Sequence, residues 1–455
     1  MFLLSNISAQ TISLSQDELL AKNIFKELIE INTTHSTGNT TIAAEAMAKR
    51  LIAAGFAEND IKIVGPEALN QNLVLRWHGS GGGRPILFLA HLDVVEARKE
   101  DWTTDPFKFT ELDSFYYGRG TIDMKNGAAV LVANFIRLKR LGFTPDRDLI
   151  LALTAGEEVG DLYNGVEWLI ANQRPLIDAE FCINLDAGGG RLENGKRTAF
   201  FVQTSEKGVL NLNLEVKNSG GHSSRPSKNN AIYHLAKGLT NLSAYDFPVE
   251  LNRSTKSYFS TISSIESGQL AADMNAILLS VPDTGAVNRL STIPFYNAMM
   301  RSTCVATMLE AGHAITALPQ TAIAKLNCRI LPGVKQEYVV QQINHVLGDS
   351  QIVVTVLDTL KKNPATELNP VLMKTVKQLT EKFWPGIPLI PAMSTGATDG
   401  LFLRGAGIPC FGISGVFSDV AENRAHGKDE RILKKSFYDA LEYEFALIKA
   451  LTSLK

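Results

Sequence analysis

Short, mainly apolar runs punctuate the chain at residues 86–90, 149–153 and 181–185, with a weaker one at 408–413. Each is flanked by polar or turn residues, and apolar runs of this length predict strands buried on both faces. Helical patterns lie between them. Over 41–54, Ala43, Met47, Leu51 and Ala54 share one face and Gly55 supplies the stop. A second helix is predicted over 127–141, closed by Gly142. Buried strands alternating with helices predict an α/β sheet with helices on its faces.

The pattern changes near Lys207. Residues 209–216 alternate apolar and polar with period two, as a half-buried antiparallel strand does. A helix over 231–242, a strand over 322–331, a helix over 336–347 and a strand over 352–357 follow. This segment predicts a separate α+β domain inserted into the first. Residues 243–303 fit no repeat and are read as an elaboration of that insert. After Pro364 the α/β pattern returns. The expected organisation is a catalytic domain in two parts, 1–207 and 364–455, interrupted by an inserted domain over 208–363. A chain of 455 residues is long enough for such a division.

Composition narrows the partners. The net charge of -2 gives no basic surplus for nucleic acid or an acidic membrane. No apolar run is long enough for a membrane span. A small-molecule partner is expected. The four cysteines, Cys182, Cys304, Cys328 and Cys410, are widely spaced and form no CxxC pair. They read as buried core residues, not as a disulfide framework or a zinc site. Residues 1–10 admit two readings. A plain tail favours a cytoplasmic protein. A truncated signal ending at Ser8-Ala9-Gln10 would make the protein periplasmic or secreted, although it lacks a positive n-region and its apolar stretch is short.

Ligands of open α/β sheets sit at the carboxyl ends of the strands. There the chain places His91-Leu92-Asp93, Gly156-Glu157-Glu158 and Asp186, and beyond the last apolar run His426. Asp123 lies in a glycine-containing loop just ahead of a predicted helix. Two histidines with several carboxylates suit a zinc-like divalent ion with a position left for water. The surplus of acids suggests two ions, roughly 3.5–4 Å apart and bridged by one carboxylate. Alternate residues of an extended segment point the same way, so Asp93 could accept the far ring N–H of His91. Of the neighbours Glu157 and Glu158, one can hold metal while the other handles protons. The glycine-rich stretch 79–84 lacks a Lys-Ser/Thr ending and precedes a strand, so it reads as a turn and not a phosphate loop.

Ordered motifs sharpen this. They are Leu89-Ala90-His91-Leu92-Asp93-Val94-Val95, Asp101-Trp102 with Asp105-Pro106-Phe107, and Tyr117-Gly118-Arg119-Gly120-Thr121-Ile122-Asp123-Met124-Lys125. Thr154-Ala155-Gly156-Glu157-Glu158, Gly396-Ala397-Thr398-Asp399-Gly400 and Arg424-Ala425-His426-Gly427 follow. In this order, and across nearly the whole chain, they resemble the zinc exopeptidase family of aminoacylase, carboxypeptidase G, acetylornithine deacetylase and succinyl-diaminopimelate desuccinylase. The resemblance implies a mixed-sheet di-metal catalytic domain with a ferredoxin-like lid that often dimerises. It implies that His91 and Glu158 or Asp186 hold metal, that Asp123 bridges and that His426 completes the second ion. Glu157 would be the general base and Asp93 the partner of His91. His222, in Gly220-Gly221-His222-Ser223-Ser224-Arg225-Pro226, matches a histidine that reaches the neighbouring subunit's oxyanion. Arg329 matches the arginine that pairs with the substrate carboxylate, and Gly400 falls in a substrate-binding motif.

Two positions depart from the family. The third-strand loop carries Asp186 where Glu is common, and Thr316 stands where the lid often has asparagine. The expected reaction is hydrolysis of an amide in a peptide or N-acyl amino acid by two divalent ions. Zinc is expected; cobalt and manganese share such ligands. Hydrolysis of an ester or carbamoyl bond, or a non-catalytic binding role, are the competing readings.

Overall fold

The computed structural model describes residues 14–160, 162–419 and 422–452; the N-terminal segment 1–10 discussed above lies outside them. Two compact units form, one from the chain up to Gly165 together with the segment from Ser414, the other from Val166–Ile413.

In the first unit, the apolar runs become strands Gly83–His91 and Arg147–Thr154, paired in parallel with Leu87 opposite Ile150. Every side chain from Ile86 to Ala90 and from Leu149 to Leu153 is fully buried. Strands Asn70–Trp77 and Ile61–Glu67 extend this sheet antiparallel beyond Arg147–Thr154, so it is mixed. Helix Thr40–Ala53 packs on Asn70–Trp77, and helix Lys125–Arg140 packs on Gly83–His91. Helices Gln16–Glu30 and Lys434–Leu451 flank Lys125–Arg140, with the rings of Phe25 and Phe437 stacked 4.7 Å apart.

The second unit holds two sheets. In one, Phe181–Asn184 runs parallel to Cys410–Gly412, and Lys196–Glu206 pairs antiparallel with Gly189–Glu193 and parallel with Leu389–Ser394. The other is antiparallel, in the order Thr303–Ala311, Thr321–Ile330, Gly208–Lys217, Ile352–Val356. The period-two pattern has a direct structural cause. Leu210, Leu212, Leu214 and Val216 point into a core shared with Leu235 of helix Ala231–Ser243 and with Val339, Ile343 and Leu347 of helix Gln336–Leu347. Thr303–Ala311 is an edge strand whose Val305, Met308 and Leu309 are more than half exposed.

Two expectations change. Residues 243–303 contain the helices Arg253–Ile262, Gly268–Ala276, Thr284–Ser291 and Pro294–Met300. Their core residues Tyr258, Phe259, Met274 and Leu290 pack with Ala199, Ile390 and Met393, which belong to the Lys196–Glu206 sheet and not to the four-stranded one. The helices are short and amphipathic, so their burial depends on that surface. The cysteines also divide. Cys304 and Cys328 face each other across neighbouring strands and form a disulfide. Wide sequence spacing had argued against it, but antiparallel pairing brings residues 24 apart into register. Cys182 and Cys410 are free and buried. Among the described residues no helix is long and apolar enough to cross a membrane.

Candidate metal centre

The site of the first unit is assembled by strand register. His91 ends one strand directly opposite Thr154 at the end of the next, so the Gly156-Glu157-Glu158 loop emerges beside it. The Leu92 N–H donates to Thr154 O at 2.8 Å, which holds the two strand ends together. Gly156 turns the loop at φ +83°, where a Cβ would lie 2.4 Å from the Tyr163 ring. A glycine is therefore required for both conformation and space.

Asp93 is placed differently from expectation. His91 Nδ1 lies 3.0 Å from the Asp93 backbone oxygen and 3.8 Å from its carboxylate. The carboxylate instead accepts the N–H groups of Glu157 at 3.3 Å and Glu158 at 2.9 Å, so it orients the loop bearing both acids. Either way the ring leaves Nε2 facing inward, 3.2 Å from Asp123 Oδ1.

Asp123 sits just before helix Lys125–Arg140, and its second oxygen lies 3.1 Å from His426 Nε2. That same imidazole nitrogen is 3.0 Å from Glu158 Oε2. Asp123 thus faces both histidines. Ligand-type atoms of His91, Glu157 and Glu158 all lie within 4.8 Å of one another, as do those of Asp123, Glu158 and His426. His91 and Glu158 are nearly sealed from solvent, whereas the His426 side chain is 55% exposed.

Electrostatics follow from this crowding. Hydrogen bonds that its Nε2 donates to the Asp123 carboxylate and then to Glu158 push the His426 imidazole up to about 10. Burial opposes ionisation of Asp123, yet His426 and His91 hold its carboxyl below the ordinary range. Burial raises Glu158. Carboxylates gathered around two imidazole nitrogens attract positive charge. Nitrogen and oxygen donors in this set fit a zinc-like divalent ion, with one carboxylate turned toward both histidines as a bridge requires.

The other candidates belong to the second unit. Asp186 follows strand Phe181–Asn184, and its N–H donates to Asn184 Oδ1 at 3.1 Å. Arg329 lies on Thr321–Ile330, opposite Thr303 and Val209, and donates from Nε to Asn327 Oδ1 at 3.2 Å. A cation missed in the sequence accompanies it. Lys207 is fully buried, its ammonium 3.4 Å from Thr303 Oγ1, and burial together with Arg329 lowers it to about 7. Only strand pairing brings Lys207 and Arg329 together.

His222 is exposed on the two-residue strand Gly221–His222, and its Nδ1 accepts the Ser224 N–H at 3.1 Å. A neutral ring held this way carries its proton on Nε2, the donor form an oxyanion needs. Thr316 adjoins the segment, its carbonyl accepting the Ser223 N–H at 3.0 Å. Gly400 is buried at the start of helix Gly400–Gly405, and its N–H is taken by Thr398 Oγ1 at 3.1 Å. A Cβ there would meet Cys410 Sγ at 3.0 Å, so packing calls for the glycine. Thr398 Oγ1 donates in turn to the buried Glu206 carboxylate at 2.9 Å, and Glu206 pairs with buried Arg404.

Residues 87–450 match the family described as Peptidase family M20/M25/M40. The human N-fatty-acyl-amino acid synthase/hydrolase PM20D1 is 27% identical over 379 residues, which cover 80% of this chain and 74% of that protein. The M20 family metallo-carboxypeptidase Sso-CP2 of Sulfolobus solfataricus superposes with a TM-score of 0.73 at 18% identity, over 97% of this chain and 100% of that one. The Bacillus subtilis YXEP protein, described as a dinuclear metal binding peptidase, superposes with a TM-score of 0.59 at 13% identity, over 95% and 97% of the two chains. With a family match over four-fifths of its length and a donor cluster suited to divalent metal, the chain belongs to the M20/M25/M40 peptidase family and is a metal-dependent hydrolase of amide C–N bonds.

Proposed function

We propose that the chain is a two-metal exopeptidase or N-acyl-amino-acid amidohydrolase that uses zinc and acts on a small substrate bearing a free carboxylate. The observation that carries this reading is Asp123, whose two oxygens face His91 and His426. In it, His91, Asp123, Glu158 and His426 hold the ions, and Asp186 completes the set by motif resemblance. Two divalent ions bound there would polarise the scissile carbonyl and lower the pKa of a water. Glu157 takes that water's proton and returns it to the leaving amine. Asp93 keeps the Glu157 backbone in place through its N–H.

Selection of a carboxylate rests on Arg329. The Arg329 cation lies close enough to disfavour the charge on Lys207, burial disfavours the charge on Arg329 itself, and a substrate carboxylate would favour both charged forms. The PM20D1 name, with its N-acyl amino acid, and the carboxypeptidase name of Sso-CP2 both describe an amide next to such a group. Within residues 208–363, the four-stranded sheet with helices Ala231–Ser243 and Gln336–Leu347 serves as the lid and dimerisation domain in this reading, with the exposed edge Thr303–Ala311 available for pairing. His222 then donates from Nε2 to the oxyanion of the partner's substrate.

Chelation is expected to remove hydrolysis of a panel of dipeptides, N-acyl amino acids and matching esters, and zinc to restore it. The amides should exceed the esters, and masking the free carboxylate should raise KM. Turnover unaffected by chelation would end the metal reading. Full activity on carboxylate-masked substrates would end the role of Arg329. For the subunit arrangement, His222→Ala should lower kcat more than it raises KM. Mixing it with a Glu157→Gln protein should restore part of the activity; a mixture no better than its components would place His222 at its own subunit's site or outside catalysis.

A further inference from the structure

Asp123 and His426 are 303 residues apart and belong to loops that lack regular structure. A zipper between two chain segments brings them together. Strand Arg431–Leu433 pairs with Phe115–Tyr117, Arg431 lying opposite Tyr117. The Gly118 N–H continues the ladder onto Glu430 O at 3.1 Å.

Beyond that point the Glu430 side chain takes over. It is fully buried, and both oxygens are used twice. Oε1 accepts the N–H groups of Ile122 at 2.8 Å and Asp123 at 3.1 Å. Oε2 accepts the Gly120 N–H at 2.9 Å and Arg119 Nη1 at 2.6 Å. One carboxylate thus holds three backbone N–H groups of the loop that ends at Asp123.

Arg119 completes the connection to the other side. It is 2% exposed and stacked over the Trp102 ring at 5.1 Å. Its Nη2 reaches the His426 carbonyl at 3.3 Å. His426 itself adopts φ +61°, a conformation rare outside glycine, and a fixed carbonyl partner helps hold it there.

We infer that Arg119 and Glu430 are positioning residues that set the separation of Asp123 from His426, and thereby determine how tightly the shared half of the metal centre is held. This rests on the two-metal reading above. Neither side chain is expected to touch substrate or metal. A glutamine at position 430 would turn an NH2 group toward two of the N–H donors that the carboxylate now satisfies, so the loop must shift. Partners that orient metal ligands without contacting the ion typically change metal affinity by about 10–100-fold.

The test strips the full-length protein with chelator and titrates it with Co2+, reading the visible absorption of the bound ion. Glu430→Gln and Arg119→Lys are compared with wild type and with Glu444→Gln, which alters a fully buried carboxylate elsewhere in the same unit. Lysine at 119 retains the charge but cannot span Glu430 and His426 at once. Glu430→Gln and Arg119→Lys should weaken Co2+ uptake about tenfold or more and change the visible spectrum, while Glu444→Gln moves neither.

Wild-type affinity and spectrum in both variants, with only the melting temperature reduced, would make the pair a structural ion pair and overturn the inference. If Glu430→Gln does not fold, Arg119→Lys decides by the same two readouts. Failure of wild type itself to take up Co2+ would instead overturn the two-metal reading, and this inference with it.

Discussion

Replacing Glu157 with Gln is expected to lower kcat by about 10²–10⁴-fold while fold and metal content stay unchanged. Glutamine matches glutamate in size and retains its N–H to Asp93, which lies 3.3 Å away. It cannot accept a proton at neutral pH, so only the proton transfer is lost. The structure makes the experiment more discriminating than the sequence did. Glu157 and Glu158 both bring a carboxylate oxygen within 4.8 Å of the ligand atom of His91, so each has the reach of a ligand. Metal analysis separates the roles. Full metal with collapsed kcat supports the base. Loss of one ion would make Glu157 a ligand, and a kcat within about tenfold of wild type would remove it from the proton path.

The second large effect is on stability. Arg404→Met is expected to destabilise the second unit by about 3–5 kcal/mol, because it strands the buried Glu206 carboxylate. Glu206 and Arg404 are both almost fully buried, and Glu206 also accepts from Gln203 Nε2 and Thr398 Oγ1, each at 2.9 Å. Burial already raises the Glu206 carboxyl above its ordinary value, with Arg404 the largest opposing influence.

Removing Arg404 must raise it further. An acid whose folded pKa exceeds its unfolded value, about 4.3 for Glu, binds more protons when folded, so stability falls as pH rises through that interval. The deficit of Arg404→Met relative to wild type should therefore be larger at neutral pH than near about pH 5. Adding Glu206→Gln should recover part of it, since both charges are then gone. Equilibrium denaturation at two pH values checks this. A deficit under about 1 kcal/mol, or one that does not depend on pH, would contradict it.

Much of the candidate site was legible locally. His91, Glu157 and Glu158 stand at or just beyond strand ends because the apolar runs that predict buried strands stop there. The alternation over 209–216 likewise announced a half-buried strand, since side chains of a strand alternate sides whatever it pairs with. Other features had no local signal. Strands Ile61–Glu67 and Asn70–Trp77 carry polar residues among the apolar ones and are defined by their pairing. The bond between Cys304 and Cys328 depends on register, as does the proximity of Lys207 to Arg329.

The sequence by itself determined the family, the strand-and-helix plan and the acids and imidazoles available for metal, because periodicity and motif order are properties of the chain. The tertiary structure decided which of those groups meet. It gave the Asp93 carboxylate to the Glu157-Glu158 backbone and turned Asp123 toward two histidines. It also made Glu430, an unremarked acid in the sequence, the hub of the loop beside them. Hydrogen bonds between segments some 300 residues apart depend on how the strands register and what the core excludes. No local pattern encodes that, and here it governs the spacing of the candidate metal ligands.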